Sequence, residues 1–210
     1  MKQLLSVCLL FFLIALITAC SPNIENKHGS NTKSLSSNPN QDVDYSHSKL
    51  EKIYLAGGCF WGVEAYFARI YGVSNTTSGY ANGSGENPEY EEVIKGDQGF
   101  VETVLVEYDP QRVSLTELLT YYFKVVDPTS VNRQGNDKGI QYRTGIYYVD
   151  EQNASIISAL IKQEQKKYDE KIVTEVLPLN NYFLAEEYHQ DYLEKNPGGY
   201  CHIDLSILDE

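Results

Sequence analysis

The sequence Gly57-Gly58-Cys59-Phe60-Trp61-Gly62-Val63-Glu64 follows an apolar run at 53–56 and precedes residues with helical spacing. This pattern places Cys59 where a strand turns into a helix. The unpaired N–H groups at a helix N-terminus favour an anion, so we expect a lowered pKa for the Cys59 thiol. The two glycines permit a tight turn, and Phe60 and Trp61 place aromatic rings beside the sulfur. The stretch therefore predicts a nucleophilic cysteine beside a small apolar pocket.

Strand and helix patterns alternate on both sides of this stretch. Strands are predicted at 52–56, 73–80, 100–108, 145–149 and 173–177. Helices are predicted from Phe60, after the capping box at Ser114–Glu117, after Asp150 and at 185–195. The polar stretches 82–88 and 127–142 are predicted to be loops, and 196–201 a flexible coil arm. These elements indicate an α+β fold, a two-layer sandwich in which helices flank a central mixed sheet. The strand order does not follow from the pattern.

The N-terminus reads as an export signal followed by a tether. One lysine precedes an uncharged apolar run from Leu4 to Ala19, which suits a signal peptide at 1–19 better than a membrane span. Its end, Ile17-Thr18-Ala19-Cys20, resembles a lipobox, which implies lipidation of Cys20 at the cell envelope. An uncleaved membrane anchor is the alternative. Residues 20–49 are polar and predict a disordered tether, which leaves one catalytic domain at 50–210.

The charge balance limits the partners. The chain of 210 residues has 29 acidic and 17 basic side chains and a formal net charge of −12. A surface this acidic argues against a nucleic-acid partner, and membrane attachment would come from the lipid anchor instead of a basic patch.

Two cysteines remain once Cys8, inside the signal, and the lipidated Cys20 are set aside. In an exported protein, Cys59 and Cys201 can form a structural disulfide. The alternative is a redox pair, because Cys59 occupies an activating position and Cys201 follows Gly198-Gly199 in a coil arm. That arm suits a resolving cysteine, which condenses with an oxidised partner thiol.

The stretch Gly58-Cys59-Phe60-Trp61-Gly62-Val63-Glu64 resembles the signature of A-type peptide methionine sulfoxide reductases. The similarity continues through further motifs in the same order, which together cover almost all of residues 52–203: Ser78-Gly79-Tyr80-Ala81, Asn87-Pro88-Glu89-Tyr90, Arg133-Gln134-Gly135-Asn136-Asp137, Gln141-Tyr142-Arg143, Tyr188-His189-Gln190-Asp191-Tyr192-Leu193 and Lys195-Asn196-Pro197-Gly198-Gly199-Tyr200-Cys201. A set of independent motifs in one order is a specific resemblance.

The resemblance implies a role for each matching residue. Cys59 is the implied nucleophile on the sulfoxide sulfur, and Cys201 the implied resolving cysteine. Glu102 corresponds to the acid that protonates the sulfoxide oxygen, a step the reaction needs because a sulfoxide is a poor electrophile until its oxygen is protonated. Phe60 and Trp61 correspond to the pocket that holds the substrate's methyl group. Tyr90 and Tyr142 correspond to the two tyrosines that hydrogen-bond the sulfoxide oxygen. Asp137 corresponds to a carboxylate that organises the site.

Simpler readings stand beside several of these roles. Without the resemblance, Glu102 is a solvent-facing strand residue, Tyr90 and Tyr142 are packing residues, and Asp137 is a turn former. Glu64 is expected on the helix surface, since it lies five residues after Cys59 and points away from its face. A hydrolase dyad of Cys59 with His189 or His202 is a further alternative. A zinc site is weaker, because Cys201 and His202 are adjacent.

The sequence departs from the family pattern in three places. Many members have His two residues before the acid, where this chain has Phe100. An apolar neighbour there is predicted to raise the pKa of Glu102. Ile140 replaces a common Thr and is expected to affect packing only. Some members carry a further cysteine near the C-terminus, and its lack here predicts recycling through one disulfide, Cys59–Cys201.

Three functions from different classes follow. The first is reduction of methionine-S-sulfoxide, in proteins and as the free amino acid, by a monomer that needs no metal or other cofactor. It implies a thioredoxin-like dithiol reductant in the envelope. The second is a thiol hydrolase, which requires a histidine next to Cys59. The third is a non-catalytic lipoprotein with a structural disulfide.

Overall fold

The structure is a computed structural model that describes residues 35–209. The predicted signal peptide at 1–19, Cys20 and the first part of the tether lie outside the described residues. Among the described residues, no helix combines the length and the apolar character needed to cross a membrane.

A six-stranded sheet forms the centre of the fold. The main strands are β1 (Glu51–Ala56), β2 (Val73–Ala81), β3 (Val101–Tyr108), β6 (Gly145–Tyr148), β7 (Glu175–Pro178) and β8 (Tyr182–Leu184), and their order is β7-β6-β1-β3-β2-β8. Two short strands, β4 (Arg133–Gln134) and β5 (Asp137–Lys138), form a separate hairpin. The β6–β7 pair is parallel and the other pairs of the sheet are antiparallel. The predicted mixed sheet is therefore confirmed.

The described residues form five α-helices, of which the first four contribute buried side chains to the larger apolar cluster of the core. They are α1 (Phe60–Phe67), α2 (Tyr90–Val93), α3 (Leu115–Val125), α4 (Glu151–Glu164) and α5 (Tyr192–Lys195). The alternation within β1 divides its side chains between two clusters: Ile53 and Leu55 join the main core, while Tyr54 and Ala56 join a smaller one. The sheet thus carries β1 and β3 at its centre, and the site is built on their ends.

Local capping rules set two helix starts as predicted. The Ser114 hydroxyl accepts the N–H of Glu117 at 3.2 Å, and the Glu117 carboxylate accepts the N–H of Ser114 at 2.8 Å. The Asp150 side chain accepts the N–H of Gln152 at 2.9 Å at the start of α4. Each cap satisfies N–H groups that have no partner inside the helix.

Other predicted boundaries are wrong. The helix predicted at 185–195 shrinks to α5, because the chain first pairs β8 with β2 and then turns through 185–191. The last predicted strand, 173–177, lies at 175–178 in the structure. The predicted loop at 127–142 contains the β4–β5 hairpin and a 3₁₀ turn at Ile140–Tyr142.

The described part of the predicted tether contacts the domain. The Asn40 side chain is buried, donates to the carbonyl groups of Ala68 and Ile70 at 3.0 and 2.9 Å, and accepts the N–H of Gly72 at 3.0 Å. Ser48 donates to the Asp109 carboxylate at 2.8 Å. Residues 35–49 contain no helix or strand and are mostly exposed, but Asn40 and Ser48 attach them to the domain.

Candidate active site

Cys59 lies between the central strand and α1, as the sequence predicts. β1 ends at Ala56, and α1 begins at Phe60. The turn needs glycine at position 58, where φ is +83° and a Cβ atom would lie 2.6 Å from Cβ of Gln134. The sheet and the helix therefore hold the sulfur at a fixed position beside the first turn of α1.

The predicted lowering of the Cys59 pKa is wrong for the free protein. The residue is only 7 % exposed, and burial raises the pKa of its thiol well above the usual range, with a further rise from the negative charge of Glu102. The backbone N–H of Trp61 acts in the opposite direction, as a helix N-terminus should, but its effect is smaller. In the free protein, the raised pKa therefore favours the protonated thiol of Cys59.

Glu102 lies on β3 beside the start of α1. It is 2 % exposed, and its Oε2 accepts the backbone N–H of Phe60 at 3.0 Å. Burial raises the pKa of Glu102 to about 8, although the Phe60 N–H lowers it and the charge of Asp137 adds a smaller rise. The predicted burial of this carboxyl is confirmed, and a pKa of about 8 favours its protonated form at neutral pH. In this state Glu102 can donate a proton, and it no longer opposes ionisation of Cys59.

Two tyrosines face the same point from different elements. Tyr90 begins α2, and Tyr142 ends the 3₁₀ turn before β6. Burial raises the pKa of both phenols, the charges of Glu102 and Cys59 add to that rise, and the two hydroxyls interact with each other. Residues far apart in the sequence thus place two neutral O–H donors next to the thiol and the acid.

Asp137 connects this centre to the C-terminal arm. It lies on β5, close enough to Cys59 and Glu102 for its charge to raise the pKa of both. Its Oδ2 accepts the Tyr200 hydroxyl at 3.1 Å and lies 3.9 Å from Nδ1 of His202. The β4–β5 hairpin therefore contacts both the site and the arm.

Cys201 lies on the arm, next to α1. Both Cys59 and Cys201 are free thiols in the described part of the chain. The Cys201 thiol is half-buried and donates to the Ile203 carbonyl at 3.2 Å. A Cβ atom at Gly62 would lie 2.9 Å from its Sγ, so the sulfur packs directly on the first turn of α1. A cavity of about 520 Å³ lies beside it, lined in part by Leu35 and Leu205. The predicted flexible arm is thus packed against the helix in this structure.

Trp61 is held between two aromatic side chains. Its indole stacks on Tyr192 with ring centroids 3.7 Å apart and an angle of 13°, and its Nε1 donates to Nδ1 of His189 at 3.0 Å. Phe60 also contacts His189, with centroids 4.9 Å apart. Phe60 and Trp61 thus form part of an aromatic cluster next to Cys59, and sequence reasoning missed His189 and Tyr192 as supports of this cluster.

The histidines are engaged away from Cys59. His189 accepts from Trp61, and burial lowers its pKa. His202 bonds through Nε2 to the Gly57 carbonyl at 2.9 Å, and burial lowers its pKa as well. Neither contact provides a base for Cys59, which the hydrolase alternative requires. Across residues 35–209, no group of three or more His, Cys, Asp or Glu side chains could hold a metal ion.

Glu64 is buried, which corrects its predicted place on the helix surface. It is 2 % exposed, and its Oε2 accepts the backbone N–H of Asp191 at 2.9 Å. Burial raises the pKa of Glu64 to about 7, and the charge of Asp191 adds to the rise. Helical periodicity predicts that Glu64 points away from Cys59. It cannot predict that the segment containing Asp191 covers the side of the helix to which Glu64 points.

Known proteins share this fold and these motifs. The family model described as "Peptide methionine sulfoxide reductase" matches residues 51–210. The peptide methionine sulfoxide reductase MsrA of Clostridium acetobutylicum is 57% identical over 159 residues, which are 76% of this chain and 98% of that protein.

Solved structures agree with the sequence match. Methionine sulfoxide reductase A of Corynebacterium diphtheriae is 37% identical with a TM-score of 0.72, over 79% of this chain and 85% of that one. Mxr1 of Saccharomyces cerevisiae in complex with Trx2 is 27% identical with a TM-score of 0.51, over 72% of this chain and 91% of that one.

Proposed function

The chain belongs to the peptide methionine sulfoxide reductase family, and from that premise we propose that it reduces methionine-S-sulfoxide to methionine through Cys59, Glu102 and Cys201. It is an oxidoreductase that repairs oxidised methionine. The observation that carries the residue assignment is the placement of a buried thiol and a buried, protonated carboxyl side by side at the start of α1.

The first step transfers the sulfoxide oxygen to Cys59. The methyl group of the substrate lies against Phe60 and Trp61, which places its sulfur next to the thiol. Tyr90 and Tyr142 donate hydrogen bonds to the oxygen while Glu102 protonates it. The Cys59 sulfur attacks the substrate sulfur and gives its own proton to the Glu102 carboxylate. The hydroxyl group then moves to the Cys59 sulfur as the S–O bond and the new S–S bond both break, so methionine leaves and Cys59 remains as the sulfenic acid. Neutral Glu102 favours this step, because ionised Glu102 raises the pKa of Cys59.

The second step forms a disulfide. The Cys201 thiol attacks the Cys59 sulfenic acid and releases water, which gives the Cys59–Cys201 disulfide. An external dithiol then reduces this bond by thiol–disulfide exchange and is itself oxidised. A thioredoxin-like protein is the proposed reductant, supported by the relative Mxr1, which has been crystallised with Trx2.

The envelope location is part of the proposal and rests on the N-terminal sequence. The uncharged run to Ala19, the small residues before Cys20 and the polar stretch after it support cleavage and lipidation at Cys20. The anchored enzyme then acts outside the cytoplasm as a monomer. Fractionation tests the anchor: wild type should follow the membrane, while Cys20→Ser should lose lipid-dependent membrane binding. Equal membrane binding by both proteins favours an uncleaved anchor.

Activity on separated epimers tests the reaction. With a chemical dithiol, the protein should convert the S-epimer of a methionine sulfoxide peptide, and of free methionine sulfoxide, to methionine. The R-epimer should remain. Equal consumption of both epimers would contradict the proposed stereochemistry, and inactivity towards both would contradict the reaction.

A further inference from the structure

Glu64 occupies a position whose contacts the reaction does not explain. It lies three residues after Trp61 in α1, so the two side chains share one face of the helix. Its carboxyl is buried and accepts the backbone N–H of Asp191. The buried Ser78 side chain faces the same carboxyl and lowers its pKa.

The segment that Glu64 contacts is the one that holds Trp61. We name residues 189–192 the clamp turn. Its first and last residues contact the indole: His189 accepts the Nε1 hydrogen at 3.0 Å, and Tyr192 stacks on the ring at 3.7 Å. Of its two middle residues, Gln190 is buried, and Asp191 is exposed but donates its backbone N–H to Glu64. The position of the indole therefore depends on what fixes those middle residues.

Two side chains fix the middle of the clamp turn. Gln190 bonds to the backbone of Ser78 in both directions, as donor to the carbonyl at 2.9 Å and acceptor from the N–H at 3.0 Å. Asp191 has a left-handed φ of +50°, and its N–H is donated to Glu64 at 2.9 Å. The Gln190 contacts tie the middle of the turn to β2, and the Glu64 contact ties it to α1, the helix that carries Trp61.

From these contacts we infer that Glu64 is a positioning residue for the substrate's methyl pocket: it holds the clamp turn against α1, so that His189 and Tyr192 keep the Trp61 indole in place. The inference rests on the proposed role of Trp61 in seating the methyl group. Glu64 does not touch the substrate, and it takes no part in proton transfer. Its effect is on binding, because the pocket holds the methyl group equally in the bound substrate and in the transition state.

Two readouts test this assignment. Trp61 is the only tryptophan of the chain, so the protein's tryptophan emission reports its surroundings directly. Steady-state kinetics with a methionine sulfoxide peptide and a chemical dithiol separates KM from kcat. Glu64→Leu removes the acceptor at nearly constant volume, and it should shift the Trp61 emission to the red and raise KM about five- to ten-fold, with kcat within about two-fold of wild type. The exposed Glu151→Leu on α4 is the matched control and should change neither.

A second pair of variants separates the effect of side-chain length at position 64 from the effect of its charge. Glu64→Gln keeps the length and an acceptor oxygen, so KM should rise only about two- to three-fold. Glu64→Asp keeps the charge but is one methylene short of the Asp191 N–H, so it should resemble Glu64→Leu. This pair carries the test if Glu64→Leu does not fold. The opposite order, with Asp near wild type and Gln impaired, would show a charge effect and overturn the inference. Unchanged emission and KM in folded Glu64→Leu would overturn it as well.

The outcome for Trp61 itself keeps the two proposals distinct. Trp61→Leu should raise KM more than Glu64→Leu does if the indole seats the methyl group. If Trp61→Leu leaves KM unchanged while Glu64→Leu still shifts the emission of Trp61, the proposed pocket fails but the structural link holds. If Trp61→Leu raises KM and Glu64→Leu has no effect on emission or KM, the pocket holds and Glu64 has no positioning role.

Discussion

The two cysteines of the domain lie in regions that are built differently. Cys59 joins β1, which pairs on both sides with β3 and β6, to α1, so secondary structure fixes its sulfur. Cys201 lies in the stretch 196–204, which contains no helix or strand and follows two glycines. Oxygen transfer needs a fixed geometry, whereas disulfide formation requires one sulfur to move onto the other within narrow limits. The rigid region serves the first step and the arm serves the second.

The largest effect expected from this comparison separates the two thiols. Cys59→Ser should abolish methionine formation even in a single turnover, because it removes the sulfur that receives the oxygen. Cys201→Ser should form about one methionine per protein and then stop with a thioredoxin-type reductant. Rapid-quench measurement of methionine checks both. Single-turnover activity in Cys59→Ser would place the nucleophile elsewhere.

Glu102 provides the next largest effect, and it belongs to the rigid region alone. Glu102→Gln cannot protonate the oxygen and should slow the reduction step by about 10²- to 10⁴-fold. It should leave the reaction of Cys201 with a preformed Cys59 sulfenic acid within about two-fold of wild type. Stopped-flow measurement of each step checks this division.

The pH profile gives the sign of the Glu102 effect. Its pKa is raised to about 8, so the active protonated form persists below this pH and is lost above it. The wild-type single-turnover rate should therefore carry a descending limb near pH 8 that Glu102→Gln lacks. A limb near pH 4.5 would mean that the buried carboxyl is not the acid.

Two glycine substitutions test whether the position of Cys201 in the C-terminal arm affects disulfide formation. A Cβ at Gly62 would lie 2.9 Å from Sγ of Cys201, whereas a Cβ at Gly198 meets nothing within 4 Å. Gly62→Ala displaces the Cys201 sulfur and should slow disulfide formation about ten-fold, a size that matches the usual strain of overpacking. The rate of methionine release should change less. Gly198→Ala is the matched control in the arm. Equal rates of thiol loss in the two variants would show that the resting position of Cys201 does not matter.

The sequence predicts the region around Cys59 better than it predicts the C-terminal region that contains Cys201. The strand before Cys59, the helix after it and the Ser114 cap follow from local rules on neighbouring residues, and the structure confirms them. The raised pKa of Cys59 does not follow from those rules, because it comes from burial in the folded domain and from the charges of Glu102 on β3 and Asp137 on β5. Helix-terminus chemistry predicts the correct sign of one contribution and misses the larger one.

The sequence predicts the secondary structure beyond residue 178 least well. β8 exists because its residues pair with β2, and its short, half-buried sequence has little strand signal of its own. The residues 185–191 carry a helix-like pattern but are instead fixed by side chains from elsewhere, among them Glu64 and Trp61. The motif residues of the site were found through the family resemblance, while the supports His189 and Tyr192 required the structure.

The smallest catalytic effect is expected outside both regions, in the N-terminal segment. Asn40 makes three buried or half-buried hydrogen bonds to the backbone after α1, so Asn40→Ala should lower the free energy of unfolding by about 1–3 kcal/mol. Both catalytic steps should stay within about two-fold of wild type. Urea unfolding and the rapid-quench assay check the two statements. An unchanged unfolding midpoint would mean that residues 35–49 do not hold the domain in solution.

The division of labour between the two cysteines is tested most directly in Cys201→Ser. The variant is mixed with one equivalent of an S-sulfoxide peptide whose sulfoxide oxygen is isotopically labelled, and the protein is trapped with a sulfenic-acid reagent and examined by peptide mass spectrometry. The account predicts one methionine formed per trapped sulfenic acid, with the reagent on Cys59 alone. The labelled oxygen should appear on Cys59 when the acid is analysed untrapped. Methionine formed without a modified Cys59 would contradict it.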